Sequence, residues 1–295
     1  MSDIDKACEA IFNAAIDVGT RKAYERAWSK LKHFSDLYDI ELVIPISRET
    51  LLRFISYLFL EKYAYASIQS IVSAVTFYQR NGSNKESSDA LIKMAMLGVR
   101  NLSPPQNSSL PMHIELIERI MDKADTVLLD NYTKLLFKAM TTLAFFALLR
   151  VGEYTYSQHT LKFNDVKIFH DSMMLRFVSF KYSQGKSSTH NICARSKFSI
   201  CPVFNNREYL KLRGSSDGFW FVKINGRAPS RKEYWDWMKA VLENCKIDSE
   251  HYTPHSLRSG MATYMALSGA STEQIKIAGR WHSDAYKKYI RVTKV

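Results

Sequence analysis

Apolar side chains in the first hundred positions recur at intervals of three and four residues, which is the spacing of an amphipathic helix. Four such segments follow one another, and the fourth runs from about Ser88 to Arg100. Each of the first three contains, near its start, a hydroxyl residue that can cap a helix. The predicted caps are Thr20, Ser47 and Ser67. The pattern therefore predicts a small all-helical domain over residues 1–100.

The fourth segment places Leu91, Met94 and Leu97 on one face, which we expect to point into the core. Residues 101–111 follow, with the sequence Asn-Leu-Ser-Pro-Pro-Gln-Asn-Ser-Ser-Leu-Pro. Two adjacent prolines and their polar neighbours disfavour both helix and sheet. We therefore predict a linker here and a second domain over residues 112–295.

The second domain begins with helical patterns from His113 to about Lys123 and from Asn131 to Tyr154. Between Val166 and Cys193 the period changes to two, with β-branched and aromatic residues and a Ser-Gln-Gly-Lys-Ser-Ser turn at 183–188. This change predicts a small antiparallel sheet. Helical patterns return after Ser230. The predicted fold class is mainly α, with a helical domain followed by an α+β domain.

The composition supports two cores, because 46% of the 295 residues are hydrophobic and 13% are aromatic. The formal net charge is +12. Residues 1–103 hold 13 Lys and Arg against 12 Asp and Glu, and the rest of the chain holds 28 against 17. A basic excess in the second domain favours a polyanionic partner such as nucleic acid, although a solvated basic face would have the same composition.

No stretch of the sequence reaches the roughly 20 apolar residues that a membrane helix needs. The N-terminus, Met-Ser-Asp-Ile-Asp-Lys, lacks the basic and then apolar form of a signal peptide. We therefore expect a soluble, intracellular protein with no membrane partner. The cysteines lack metal-ligand spacing and are expected to be reduced, mostly buried thiols. They are Cys8, Cys193, Cys201 and Cys245.

A Thr-Pro-His-Ser-Leu-Arg segment at 253–258 has the form of a helix start, with Thr253 as cap and Pro254 in the first turn. His255 and Arg258 are three residues apart and share a face. A helix N-terminus attracts phosphate, and these two side chains would add to that attraction. A surface histidine and arginine with this spacing by chance is the alternative.

Arg150 follows the apolar run Leu-Ala-Phe-Phe-Ala-Leu-Leu, at the edge of a predicted buried helix. A buried guanidinium needs a partner or an anionic ligand. Glu153 lies three residues later and can pair with it. The two residues either form a simple ion pair within a helix, or Glu153 orients Arg150 so that it can bind phosphate oxygens.

Ser271 and Gln274 form a capping-box pattern for a short helix that ends at Gly279. The next residues are Arg280, Trp281 and His282, and a further helix is expected from about Ser283. Tyr286 and Tyr289 would share a face of that helix. A phenol with a pKa of about 10 is ionised in about one molecule in a thousand at neutral pH, so a tyrosine nucleophile needs cationic neighbours or a base.

In this order, Arg150, the His255-x-x-Arg258 pair, the Gly-x-Trp turn and Tyr289 resemble the active site of the tyrosine recombinases. That family includes Cre, the Xer recombinases and phage integrases. Two segments are similar to the end of Cre, namely Ile-Lys-Ile-Ala-Gly-Arg-Trp and the later Tyr-Ile-Arg. The Cys-Pro-Val at 201–203, followed by Tyr209-Leu210, is similar to recombinases of Crypton or DIRS-like eukaryotic mobile elements. The resemblance implies a helical, SAM-like core-binding domain and a catalytic domain that together clamp duplex DNA.

By this resemblance, Tyr289 attacks the scissile phosphate to form a 3′-phosphotyrosine link, with Tyr286 as the alternative nucleophile. Arg150 and Arg258 would hold the non-bridging oxygens, and His255 would assist proton movement. Trp281 would donate its indole N–H to phosphate. Tyr289 follows Trp281 by eight positions and His282 by seven, fewer than is usual in the family, so His282 also stays a candidate. No metal or nucleotide cofactor is implied.

The resemblance also implies a lysine general acid in the turn of the sheet, where Lys181 fits better than Lys186. Glu153 is expected to orient Arg150. Further DNA contacts are expected from basic side chains around the motifs, namely Lys186, Arg280, Lys287, Lys288 and Arg291. Expected partners are double-stranded DNA and further copies of the chain, as a dimer on one site and a tetramer in synapsis.

The implied function is site-specific recombination or integration of a mobile element, in the nucleus of a eukaryotic host or the cytoplasm or nucleoid of a bacterial one. A topoisomerase of type IB would use the same chemistry to nick and close one duplex. A domesticated recombinase that only binds DNA is the non-enzymatic alternative. The presence of every motif residue argues against that last alternative.

Overall fold

The structure is a computed structural model that describes residues 3–5, 7, 11, 16, 18–79, 90–104, 109–178, 188–193 and 197–291. Its contacts divide the chain into two compact units, Met1–Gln106 and Asn107–Val295. The division falls within the segment that was predicted to be a linker. Lys181, Lys186 and residues 183–187 of the predicted turn lie outside the described residues.

In the first unit, the described residues from Val18 onward form the helices α1 (Val18–Leu37), α2 (Arg48–Leu60), α3 (Tyr65–Gln79) and α4 (Ala90–Leu102) around an apolar core. The prediction of a helical unit is confirmed. Ser47 caps α2, since its side chain accepts from the backbone N–H of Thr50 at 3.1 Å. The other two predicted caps are wrong, because Thr20 and Ser67 lie within α1 and α3 rather than before them.

The orientation of α4 differs from the prediction. Leu91, Met94 and Leu97 are 44%, 66% and 52% exposed, and Ile92 and Val99 occupy the core instead. The helix has apolar residues on both sides, so its periodicity alone could not select the buried face. α4 also extends to Leu102, two residues into the predicted linker.

The second unit is built mainly of helices around a larger core. They are α5 (Ile114–Val127), α6 (Asn131–Phe146), α7 (Val151–Tyr154), α8 (Pro202–Arg213), α9 (Arg231–Asn244), α10 (His255–Leu267) and α11 (Thr272–Gly279). Short 3₁₀ turns lie at Phe163–Asp165, Phe198–Ile200, Ser249–His251 and Asp284–Lys288. The side chains of Cys201 and Cys245 are buried, as predicted. The side chains of Cys8 and Cys193 are not among those described.

A three-stranded antiparallel sheet interrupts the helices of the second unit, as predicted. Its strands are β1 (Val166–Ile168), β2 (Ser172–Phe177) and β3 (Ser188–Cys193), in the order β1-β2-β3. Leu175 of β2 pairs with His190 of β3. Leu175 and Phe177 are buried, so this face of the sheet packs against the helices. Within the described ranges, no helix is long and apolar enough to cross a membrane.

Candidate active site

The helix is interrupted at residues 147–150, although the sequence predicted a continuous helix over 131–154. α6 ends at Phe146, and Leu148 has a φ of +46°, in the left-handed region. The last carbonyls of a helix have no partner within it. Here the carbonyl of Leu148 accepts hydrogen bonds from the buried Arg258 and Arg280, and that of Ala147 accepts one from Arg280. The break therefore supplies acceptors for cations in the core.

Arg258 lies in the first two turns of α10 and is 0% exposed. It donates to the carbonyls of Leu148 and Gly279. Its guanidinium carbon lies 4.1 Å from the centre of the Trp281 ring and 5.4 Å from that of the Tyr289 ring. In this conformation the guanidinium is enclosed and is not open to a ligand.

Burial of Arg258 has an electrostatic cost. Desolvation, followed by the nearby charges of Arg150 and Arg280, lowers the pKa of Arg258. Its Nε has no hydrogen-bond partner among the described residues. An anion bound beside the three guanidinium groups would offset this repulsion.

Arg150 precedes α7 and keeps 20% of its side chain exposed. Its Nη1 lies 3.3 Å from Oε1 of Glu153, which is the ion pair that their spacing predicted. The backbone N–H of Arg150 donates to Oε2 of the same carboxylate at 2.7 Å, and its Nη2 donates to the carbonyl of Arg280 at 3.2 Å. Arg150 is therefore held from two sides, and part of its guanidinium stays open to a ligand.

Arg280 was expected on the DNA-binding surface, and the structure places it in the interior instead. The residue is 5% exposed, and its guanidinium forms an ion pair with the buried carboxylate of Glu153. It also lies over the Phe177 ring, with 3.9 Å between the guanidinium carbon and the ring centre. A side chain this enclosed is not available to contact DNA.

The turn at the end of α11 positions Trp281. The predicted capping box is confirmed, with Ser271 and Gln274 each bonded to the backbone of the other. A Cβ built on Gly279 would lie 1.7 Å from the Trp281 ring, so only glycine allows the indole this position. Trp281 is buried beside Arg258, whereas His282 is exposed. The geometry therefore favours Trp281 over His282 as the side chain that would donate a hydrogen bond to the phosphate.

We expect Gly279→Ala to lower the stability of the second unit by about 1–3 kcal/mol, because the new methyl group must displace the indole. Gly98→Ala in α4 is the matched control, since nothing lies within 4 Å of its added Cβ. That change should be neutral or should stabilise the helix. Urea unfolding followed by circular dichroism measures both, and equal behaviour of the two variants would contradict the close approach of Gly279 to Trp281.

Two tyrosines follow this turn. Tyr286 is buried, and its hydroxyl lies 3.1 Å from Oγ1 of Thr272. Tyr289 comes directly after the 3₁₀ turn Asp284–Lys288, which replaces the longer helix expected here, and its ring lies 5.2 Å from that of Trp281. Oγ1 of Thr263 in α10 donates to the Tyr289 carbonyl at 3.4 Å. Tyr289, rather than Tyr286, therefore lies beside the buried cations.

His255 is the first residue of α10 and is partly buried. Thr253 does not cap this helix as expected, because Pro254 is the N-cap residue and no side chain caps the first turn. The backbone N–H of Thr253 donates to Oγ of Ser256 at 3.0 Å. Desolvation, and then the positive charge of Arg231, lowers the pKa of His255. These surroundings therefore favour the neutral form of the imidazole.

His190 in β3 was not singled out from the sequence, but the sheet brings it to this cluster. Its ring lies 5.4 Å from that of Phe177. Desolvation and the charge of Arg280 lower the pKa of His190 from 6.5 to about 4. Nothing in its local sequence signals this position, because the register of β2 and β3 decides it.

We expect the folded protein to lose stability as the pH falls from about 6.5 toward 4, in part through His190. The unfolded chain binds a proton at this histidine below about pH 6.5, whereas the folded protein resists protonation until about pH 4. His190→Gln should therefore flatten the dependence of the urea midpoint on pH in this window. His170→Gln is the control, because His170 is exposed, and an equal change in both variants would contradict the prediction.

The remaining predicted DNA contacts lie at the end of the described chain. Lys287, Lys288 and Arg291 are exposed. Lys287 forms an ion pair with Asp284 at 2.7 Å. Lys181 and Lys186 lie outside the described residues, so their predicted roles stay predictions. Phe177, the last residue of β2, packs on Arg280.

A helical unit is followed in this chain by a mainly helical unit with a small sheet, and in the second unit the buried Arg258 lies beside the ring of Tyr289. A family model described as the phage integrase family matches residues 112–294. The chain therefore belongs to the phage integrase family of tyrosine recombinases.

Comparison with individual proteins agrees with this membership. The chain is 23% identical over 298 residues to the tyrosine recombinase XerD of Listeria monocytogenes serovar 1/2a, and the match covers 97% of this chain and 92% of XerD. Among solved structures, the Tn1549 transposon integrase in complex with transposon right end DNA is similar with a TM-score of 0.68, 13% identity and coverage of 97% and 93%. A lambda integrase dimer bound to a core site has a TM-score of 0.62, 15% identity and coverage of 97% and 75%.

Proposed function

We propose that this chain cleaves and rejoins specific sites in duplex DNA through a 3′-phosphotyrosine intermediate. The observation that carries the proposal is the position of the Tyr289 ring, 5.4 Å from the guanidinium carbon of Arg258 and next to the Arg150–Glu153–Arg280 cluster. The groups come from segments more than a hundred residues apart in sequence, so their meeting is a property of the fold. Cationic side chains beside a phenol can hold the phosphate that the phenol attacks.

In the proposed reaction, the Tyr289 ring first moves off Arg258, and the scissile phosphate takes its place. The phenol oxygen then attacks phosphorus and displaces the 5′-oxygen of the next nucleotide. His255 assists removal of the phenol proton, and Lys181 or Lys186 protonates the leaving oxygen. Arg150 and Arg258 stabilise the charge on the non-bridging oxygens. The reverse steps rejoin the strand, so no cofactor is required.

DNA as partner is supported by the basic excess of the second part of the chain. The similar lambda integrase is a dimer on its core site. We accordingly propose that this chain acts as a dimer on one site and as a tetramer when two sites are joined, within a cell compartment that contains DNA. Exposed Lys288 and Arg291, with the Lys186 segment, are proposed contacts to the phosphate backbone.

The test is covalent capture from a library of nicked duplexes with randomised sequence. We expect a protein–DNA adduct that survives denaturant, carries the phosphate on tyrosine and leaves a free 5′-hydroxyl on the DNA. Sequencing of the captured duplexes would give the target site. Absence of any adduct at all sequences and protein concentrations would rule out the proposed chemistry.

The captured site also separates recombination from nicking and closing. Two plasmids that each carry the site should exchange strands in the presence of the protein, and the products are read by restriction analysis. Relaxation of one supercoiled plasmid without exchange between two would instead favour the topoisomerase-like activity.

A further inference from the structure

Arg280 has an unusual backbone for its residue type. It ends α11 with φ 55° and ψ 48°, in the left-handed region, where helices usually place glycine. An L-residue with a side chain costs about 1–2 kcal/mol in this conformation. An arginine at this position therefore needs a side-chain contact that compensates for the backbone strain.

The guanidinium of Arg280 makes that contact with Glu153. The two side chains are each 2% exposed, and Nη2 of Arg280 pairs with Oε2 of Glu153. Additional weak hydrogen bonds run from Arg280 to the carbonyls of Ala147 at 3.4 Å and Leu148 at 3.5 Å. Oε2 of Glu153 thus accepts from Arg280 and from the backbone N–H of Arg150, and Oε1 is left to the Arg150 guanidinium.

The backbone of Arg280 contacts Arg150 directly. Its carbonyl accepts from Nη2 of Arg150 at 3.2 Å, and this carbonyl points toward Arg150 because residue 280 is left-handed. Arg150 is therefore bound through the carboxylate of Glu153 and through the carbonyl of Arg280. A flexible arginine side chain held at two points loses little further freedom when it binds phosphate.

We propose that Arg280 is a positioning residue that fixes Glu153 and thereby aims the open side of Arg150 at the scissile phosphate. This role rests on the proposed function. An ion pair that served only stability would need one cation for one carboxylate, whereas Glu153 pairs with both Arg150 and Arg280. Arg258 shares the Leu148 carbonyl with Arg280, so a third guanidinium lies in the same cluster. The cluster carries an excess of buried positive charge, which suits a site that receives an anion.

The test uses Arg280→Gly, which keeps the left-handed turn and removes the guanidinium. If the side chain served only to end the helix, glycine would preserve or improve the protein. We expect single-turnover cleavage of the captured nicked site to slow about a hundredfold, as for a misplaced catalytic group, with DNA binding close to wild type. Cleavage at the wild-type rate would overturn the positioning role.

A second substrate separates positioning from a general folding defect. A methylphosphonate at the scissile position carries no negative charge, so its cleavage depends less on an aimed guanidinium. We expect Arg280→Gly to slow cleavage of the phosphate substrate much more than that of the methylphosphonate. Equal slowing of both substrates would indicate a structural role only and would contradict the inference. Arg280→Lys serves for the same comparison if the glycine variant does not fold.

The route through Glu153 is tested by a double-mutant cycle. The variant that combines Glu153→Gln with Arg280→Gly should cleave DNA only slightly more slowly than the slower of the two single variants, because each substitution breaks the same link to Arg150. Additive losses would overturn that route. Failure of the positioning role leaves the wild-type adduct intact, whereas failure of the proposed function removes the wild-type adduct itself, so the two outcomes are distinguishable.

Discussion

Tyr289→Phe is expected to abolish the covalent adduct between this protein and a nicked duplex while DNA binding stays close to wild type. The phenylalanine ring can keep the packing against Trp281 and Arg258, since these contacts use the ring and not the hydroxyl. The oxygen that would attack phosphorus is lost, and no other group at this position can replace it. Denaturing electrophoresis of labelled DNA measures the adduct, and a gel-shift titration measures binding.

Tyr286→Phe is the matched control. Its hydroxyl lies 3.1 Å from Thr272, and its ring is buried, so its removal should lower stability slightly and leave the adduct intact. An adduct that persists in the Tyr289 variant and disappears in the Tyr286 variant would reverse the assignment of the nucleophile.

Arg150→Ala is expected to slow cleavage by roughly 10²–10³, because a charge aimed at the transition state in an enclosed site is worth several kcal/mol. Arg150 is the most accessible of the three clustered arginines, with 20% of its side chain exposed, so its loss should affect the reaction more than the fold. Single-turnover rates on the captured site, with binding affinity measured in parallel, test this separation.

Arg258→Ala should slow cleavage as strongly and also destabilise the protein. The substitution leaves the carbonyls of Leu148 and Gly279 without their buried donor. Urea unfolding therefore distinguishes the two variants, with a clear loss of stability expected only for Arg258→Ala. If both variants cleaved at the wild-type rate, the phosphate-binding role of this cluster would be wrong.

Local patterns were sufficient for much of the fold. Several features depend on residues close together in the sequence: the helices α1 to α4, the antiparallel sheet between Val166 and Cys193, the cap at Ser47 and the capping box of Ser271 with Gln274. The pairing of Arg150 with Glu153 is also local, since the two residues are three positions apart. For such features, spacing and residue type carry the information.

Predictions from local patterns were wrong where a largely apolar segment is compatible with more than one conformation or orientation. The run at 143–149 is apolar throughout, so nothing in it indicates that the helix ends at Phe146 and that Leu148 turns left-handed. α4 is apolar on both sides, and the core selected Ile92 and Val99 rather than Leu91 and its neighbours. These choices were made by packing against other segments.

The sequence by itself determined the class of chemistry, because the order of Arg150, His255, Arg258, Trp281 and Tyr289 is a property of the chain. Only the tertiary structure decided how these groups are arranged. It buried Arg258 beneath Trp281 and Tyr289, placed His190 near the cluster and moved Arg280 from an expected DNA contact to the partner of Glu153. The physical reason is that a buried guanidinium must be paired with hydrogen-bond acceptors. The carbonyls and carboxylates that remain available as acceptors are brought together by the fold, from positions far apart in the sequence.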